Sequence, residues 1–239
     1  CCPLTHHQSH SFRRDPHHTS LTMEPTLLIC TTLDYYTESI VDGLIAHLPD
    51  SEKERIRKEK LFSRRREKVV AYKLLWDHLH DTGLQPEMPE ISYTPEGQPL
   101  LKSHPHLYIS ITHCKTAVAV ALYNQPIGID AESIRPYNKS LAERVFSSEE
   151  IAKIEGSSNP DSLFSQLWTR KEAYVKYLGT GIKGFDQLRS IPVSSPESAA
   201  LISTQELPDH RGWISLCCPR SQQPPSTMLK AVKKALEKA

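Results

Sequence analysis

Three short stretches of this chain carry residue types that do chemistry, at spacings that would let them act together. The first, Gly128-Ile129-Asp130-Ala131-Glu132, sets two carboxylates at i and i+2. On a strand those positions share a face, so Asp130 and Glu132 would present a pair of hard oxygen donors. Such donors suit magnesium, which keeps several waters and takes further ligands from phosphates. Taken alone, the pair reads more simply as a solvated strand end. The second stretch is Trp168-Thr169-Arg170-Lys171-Glu172-Ala173-Tyr174-Val175-Lys176. At about 100° per residue, Trp168, Lys171, Glu172 and Lys176 fall on one stripe of a helix, beside an apolar face of Leu163, Leu167, Tyr174 and Leu178. A surface Glu172–Lys176 pair, worth a few tenths of a kcal/mol, would account for the charges but not for the tryptophan among them. The third, Tyr108-Ile109-Ser110-Ile111-Thr112-His113-Cys114, is a strand that ends in a histidine. Cys114 reads as a small buried side chain, since no second cysteine or base is placed to activate it.

A fourth feature is a charge run. The 239 residues sum to a formal charge of +1, but Lys53–Lys73 alone carries +7, leaving −6 for the remainder. Bulk charge therefore excludes no partner, and the segregation points to a local anion site. If a helix begins near Ser63, then Arg64, Arg65 and Arg66 crowd its first turn, where each positive charge opposes the helix dipole by roughly 0.3–1 kcal/mol. A bound phosphate would reverse that sign. The alternative is one solvated helix from Ser51 onward with these charges in its middle.

The elements that must position these groups follow from the pattern. Leu27–Thr32 reads as a strand, and Ser51 with Glu54 as a capping box opening a charged helix. A second helix runs from about Arg64 to His80 with Val69, Tyr72, Trp76 and Leu79 on one face, ending at Asp81-Thr82-Gly83. Strand-like runs follow at Leu107–Thr112, Ala117–Tyr123 and Ile127–Ala131. Shorter helices are expected around Ser140–Phe146 and Ser148–Glu155. A long helix then opens at Asn159-Pro160 and closes at Gly179-Thr180-Gly181, with Asn as N-cap and Pro at the first helical position. The fold class is α+β: two halves meeting near residue 123, each a helix on a small, largely antiparallel sheet. The domains are 23–122 and 123–239, the latter with a basic amphipathic helical tail from about Met228. Residues 1–22 read as a disordered His-rich extension, with Met23 as a natural start.

Mean composition is that of an ordinary soluble protein, 38% hydrophobic and 24% charged, and no stretch approaches a membrane span. The six cysteines form no Cys-x-x-Cys pair. Neither a zinc site nor a disulfide framework is indicated, and a reducing cytoplasm is the plain reading.

In combination the motifs are far more specific. A histidine after a strand, then G-x-D-x-E, then W-x-x-K-E-A-x-x-K, in this order, resembles the 4′-phosphopantetheinyl transferases of the Sfp-like (surfactin-synthetase-activating) branch. The resemblance runs from about Leu44 to Ile182. It implies a monomer of two pseudo-symmetric α+β halves, with coenzyme A and Mg2+ in the cleft between them. It implies transfer of 4′-phosphopantetheine from coenzyme A to a serine of an apo carrier protein of fatty-acid, polyketide or nonribosomal-peptide type, releasing 3′,5′-ADP. By the same resemblance Asp130, Glu132 and Glu172 hold the metal, and Glu172, Lys176 and Asp130 form the catalytic group. His113 and Thr112 lie at the diphosphate, Lys171 adds positive charge there, and Arg64, Arg65, Arg66 or Lys68 takes the 3′-phosphate. Trp168 braces the helix near the pantetheine arm. The chain departs from the family pattern where Thr112 replaces a serine and where Gln98 replaces the lysine of Gly-Lys-Pro.

Two other function classes fit parts of the pattern. A magnesium-dependent pyrophosphohydrolase would use water in place of serine. A non-catalytic nucleotide- or nucleic-acid-binding module would use the +7 segment on phosphates, but seldom needs a carboxylate pair facing a helical glutamate. The first reading therefore carries no nucleic-acid and no membrane partner.

Overall fold

The computed structural model describes residues 24–84, 87–181, 184–191, 193 and 200–220. The expected N-terminal extension and the basic tail from Met228 lie outside the described residues. The first half runs β1 (Thr26–Cys30), α1 (Glu38–Ala46), α2 (Asp50–Arg57), α3 (Phe62–Asp81), β2 (Ile91–Tyr93), β3 (Pro99–Leu101), β4 (Tyr108–Cys114) and β5 (Ala117–Tyr123). The second runs β6 (Gly128–Ser133), α4 (Lys139–Val145), α5 (Ser148–Glu155), α6 (Pro160–Leu178), α7 (Phe185–Ser190), β7 (Ala200–Glu206) and β8 (Gly212–Pro219). Among the described residues no helix is long and apolar enough to cross a membrane.

Two antiparallel sheets carry the fold, one ordered β1-β5-β4-β3-β2 and the other β6-β8-β7. This is the expected α+β arrangement, although the halves differ in strand number. The reason for the layering is legible in β5, whose seven residues are all buried. A strand apolar on both faces must be covered on both. Val118, Val120 and Leu122 pack under Val69, Tyr72, Leu75 and Leu79 of α3. The opposite face, Ala117, Ala119 and Ala121, meets Ile129, Ile214 and Leu216 of the three-stranded sheet, with Ile127 just before it. On that sheet's far side Ala173 of α6 packs on Ile202 and Cys217, and α4, α5 and α7 close over Phe164, Leu167 and Val175.

Local punctuation explains most boundaries. Asn159 Oδ1 accepts from Ser162 N at 3.1 Å, Pro160 opens α6, and Gly179 ends it at φ +65°. Other expectations need correcting. Ser51 does not cap α2: the helix starts at Asp50, Pro49 stands at the N-cap, and no side chain bonds back. The capping box belongs instead to α5, where Ser147 and Glu150 exchange bonds. On α3 it is Leu75, not Trp76, that is fully buried, because the buried arc turns through 69, 72, 75 and 79. On α6 Phe164 fills the core, whereas Leu178 is exposed beyond the last packed turn. Strand β4 extends through His113 and Cys114, so the histidine lies within the strand and not after it.

Candidate active site

The site is assembled where the two sheets meet edge to face. Strand β6 is the edge of its sheet, so the N–H groups of Ile129 and Ala131 that point away from β8 need acceptors. The hydroxyls of β4 supply them: Ile129 N donates to Ser110 Oγ and Ala131 N to Thr112 Oγ1, each at 3.0 Å. Thr112 in turn donates to Asp130 Oδ1 at 3.2 Å. Thr112, expected at a diphosphate, is instead buried at this seam and fixes the Asp130 carboxylate.

Helix α6 lies directly on β6 at Gly128. A Cβ there would sit 2.0 Å from Ala173 O and 2.3 Å from Tyr177 N. Only glycine permits that approach, which is the physical content of the Gly in G-x-D-x-E. The approach brings Lys176 Nζ to 2.8 Å from Asp130 Oδ1 and 3.4 Å from Ile111 O, so one ammonium touches both halves. One turn back, Glu172 is 9% exposed. Burial, with repulsion from Asp130, pushes its carboxyl from 4.5 up to about 7. Burial and Asp130 also raise Glu132, against the pull of Arg135. Another turn back, Trp168 carries the Arg135 guanidinium 4.3 Å above its ring.

The three carboxylates thus feel one another's charge. They suit magnesium in donor chemistry, being hard oxygens whose mutual repulsion a divalent cation would relieve. As they stand, among the described residues no three His, Cys, Asp or Glu side chains gather closely enough to hold an ion. Lys176 is the cation on Asp130.

Opposite α6, His113 Nδ1 lies 3.1 Å from Glu67 Oε2 and 3.4 Å from Arg64 Nη1. Burial alone would raise the Glu67 carboxyl, but its hydrogen bond to His113 and the charges of His113 and Arg64 hold it below the usual range. With Nδ1 so occupied, the ring is oriented and its Nε2 is the nitrogen left for a ligand.

Helix α3 does begin at Phe62, separate from α2, and its first turn holds no acidic residue. The three arginines then diverge, since consecutive helical side chains point about 100° apart. Arg64 faces His113. Arg65 pairs with Glu38 at 3.0 Å and Arg66 with Asp34 at 3.5 Å, both away from the cleft. Lys171 is likewise elsewhere. It is 1% exposed, 2.9 Å from Glu150 and within 2.9 Å of the Leu188 and Ile191 carbonyls. On a helix it stands about 100° from Glu172, enough to turn it from the cleft into the helical layer.

Two adjoining cavities mark the cleft. One of about 220 Å³ is lined by Gly97, Gln98, Pro99, Ser110, Ile111, Glu172, Lys176 and Gly179. The other, about 190 Å³, is lined by Arg55, Glu67, Lys68, Tyr93 and His113, and shares Gly97, Pro99 and Ile111 with the first. Lys68, paired with Glu59, and Arg55 thus belong to its cationic wall. Arg55 was one charge among ten in the sequence. Its place comes from Glu52, which takes its Nε at 2.9 Å, and from Tyr93, whose hydroxyl accepts from Nη2 at 3.2 Å. Glu67 was equally hidden, as one of three acids inside a basic run.

Comparison with known proteins bears on this geometry. The family model of the 4′-phosphopantetheinyl transferase superfamily matches residues 126–221, the stretch holding Gly128, Asp130, Glu132, Glu172 and Lys176. The 4′-phosphopantetheinyl transferase psf-1 of Bacillus pumilus is 32% identical over 116 residues, 48% of each chain. The L-aminoadipate-semialdehyde dehydrogenase-phosphopantetheinyl transferase of Candida glabrata is 31% identical over 133 residues, 50% of this chain and 52% of its own. The 4′-phosphopantetheinyl transferase Sfp of Bacillus subtilis is 32% identical over 88 residues, 36% and 39% respectively. The chain spans about half the length of the first two relatives and less of the third.

Proposed function

We propose that this protein transfers 4′-phosphopantetheine from coenzyme A to a serine of an apo carrier protein, leaving 3′,5′-ADP. The observation that carries this reading is the meeting of Lys176 on α6 with Asp130 on β6, beside a cavity lined by Glu172 and Lys176 that adjoins the cationic wall of Arg55, Lys68 and His113. The similarity of residues 126–221 to phosphopantetheinyl transferases supports it.

The reaction is attack of an alcohol on a pyrophosphate, so catalysis is positioning plus charge stabilisation. Arg55, Lys68 and Arg64 attract the phosphate-rich end of coenzyme A. Lys68 or Arg55, not Arg65 or Arg66, faces the 3′-phosphate. His113, oriented by Glu67, donates from Nε2 to a diphosphate oxygen. Lys176 stabilises charge developing on the phosphoryl oxygens, and Asp130 keeps its ammonium in place. Glu172, facing the cavity beside Lys176, takes the proton of the incoming serine hydroxyl as general base. Asp130, Glu132 and Glu172 would hold magnesium, which supplies charge neutralisation to the diphosphate when bound. The protein acts as a monomer in a reducing cytoplasm.

The test is incubation with coenzyme A, magnesium and a panel of apo carriers of fatty-acid, polyketide and nonribosomal-peptide type, read by mass spectrometry. A carrier should gain the phosphopantetheine mass. Coenzyme A cleaved with no carrier modified would make the protein a pyrophosphohydrolase. Salt-sensitive nucleic-acid binding with coenzyme A untouched would make it a binding module.

A further inference from the structure

Lys171 neighbours Glu172 in the chain, yet its ammonium does all its work on the other side of α6. Its three N–H donors are spent on Leu188 O at 2.9 Å, Ile191 O at 2.7 Å and Glu150 Oε2 at 2.9 Å. Glu150 is equally engaged: Oε2 accepts from Ser147 N at 3.0 Å in the α5 capping box, and Oε1 from Val193 N at 3.2 Å. One buried ion pair therefore ties the start of α5 and the end of α7 to the middle of α6. Arg170 reinforces the tie, donating to Val193 O at 2.6 Å and to Thr204 Oγ1 at 2.7 Å.

The sheet side of α6 is smooth by comparison. At Gly128 helix and strand backbones touch, Ala173 packs against Ile202 and Cys217, and Thr169 meets Ser215 Oγ at 2.8 Å. Helices ordinarily hold register by side-chain ridges in grooves, and Ala173 and Thr169 at the centre of this face are short ridges. A roll of about 10° would carry a side-chain tip, about 5–6 Å from the helix axis, through about 1 Å.

We propose that Lys171 is a positioning residue for the transfer reaction. Through Glu150 and the carbonyls of Leu188 and Ile191 it fixes the roll of α6, and so the reach of Glu172 and Lys176 toward Asp130. This role rests on the proposed transfer and takes the place of any contact between Lys171 and the diphosphate.

The experiment compares Lys171→Met with the double variant Lys171→Met/Glu150→Gln, assayed for carrier modification well below their melting temperatures. The single variant strands a buried carboxylate and should lose roughly 6–20 °C in Tm. Its kcat should fall roughly 10–100-fold with the KM for coenzyme A changed less than about twofold, as expected of a displacement near 1 Å. The double variant removes the stranded charge, while the amide oxygen introduced at position 150 can still accept from Ser147 N and keep the cap. It should therefore regain much of the lost Tm, but with that ion pair no longer tying α5 and α7 to α6 its kcat should stay as low as the single variant's. A single variant with full kcat, a rise in coenzyme A KM with kcat intact, or a double variant that regains kcat along with Tm would each overturn this role alone. Absence of transfer by the wild-type protein would overturn the proposed reaction along with it.

Discussion

Replacing Gly128 by alanine is the smallest change that should dismantle the site. The added Cβ would meet Ala173 O at 2.0 Å, Tyr177 N at 2.3 Å and Tyr177 Cα at 2.9 Å, all of them backbone that cannot rotate aside. Restoring ordinary contact with Ala173 O requires α6 to retreat from β6 by at least about 1.4 Å. Overpacking of this kind costs about 1–3 kcal/mol. For a chain of this size that is a Tm loss of roughly 2–12 °C, which leaves the protein folded at assay temperature. The effect on chemistry should be larger. Lys176 and Glu172 ride on the displaced helix, and the 2.8 Å contact of Lys176 with Asp130 would open beyond hydrogen-bonding distance. A misplacement of about 1 Å can cost about 10²-fold in rate. Mass-spectrometric time courses of carrier modification would read kcat, and calorimetry the stability. A folded Gly128→Ala protein with kcat within about threefold of wild type would refute the reasoning that this glycine sets the helix on the strand.

Other outcomes follow from the same geometry. Arg64→Ala should weaken coenzyme A binding about 10-fold or more, as loss of a charged hydrogen bond does. Arg65→Ala and Arg66→Ala, whose partners Glu38 and Asp34 are exposed, should change it by less than about twofold; equal effects from all three would contradict the divergence seen on α3. Replacing Arg55 and Lys68 together should raise the KM for coenzyme A more than that for dephospho-coenzyme A, and parallel losses would remove the 3′-phosphate from that wall. Stability measured with chelator present should fall as pH rises from about 4.5 to 7. The folded state holds the Glu172 proton across that window and the unfolded state does not, a linkage of order 3 kcal/mol. Glu172→Gln should flatten the slope, and an unchanged slope would show that Glu172 is not the group responsible.

What the sequence disclosed and what it hid divide along physical lines. Period-two and period-3.6 patterns are local, so β4, β5, β6, α3 and α6 were readable, together with the N-cap at Asn159 and the terminal Gly179. Asp130, Glu172 and Lys176 were readable too, since each sits on an element whose spacing aims it. The rest depends on what lies across the fold. Lys171 and Glu172 differ by one residue, and only the carbonyls of Leu188 and Ile191 reveal that the first turns away. Arg64, Arg65 and Arg66 look equivalent in a charge count until α1 supplies Glu38 to one of them. Glu67 and Arg55 had no spacing signal, because their partners His113 and Tyr93 are 46 and 38 residues distant. Thr112 was read as a ligand contact; the unpaired N–H of Ala131 on an edge strand, which it satisfies, is invisible before the sheets are placed.

The central claim is that Glu172, Lys176 and Asp130 form one reacting group between the halves. Its most direct test is the mass of an apo carrier after incubation with coenzyme A, magnesium and either the wild-type protein or the folded variants Glu172→Ala and Asp130→Ala. A phosphopantetheine adduct should form with the wild type and with neither variant over the same interval. Near-normal modification by both variants would contradict it.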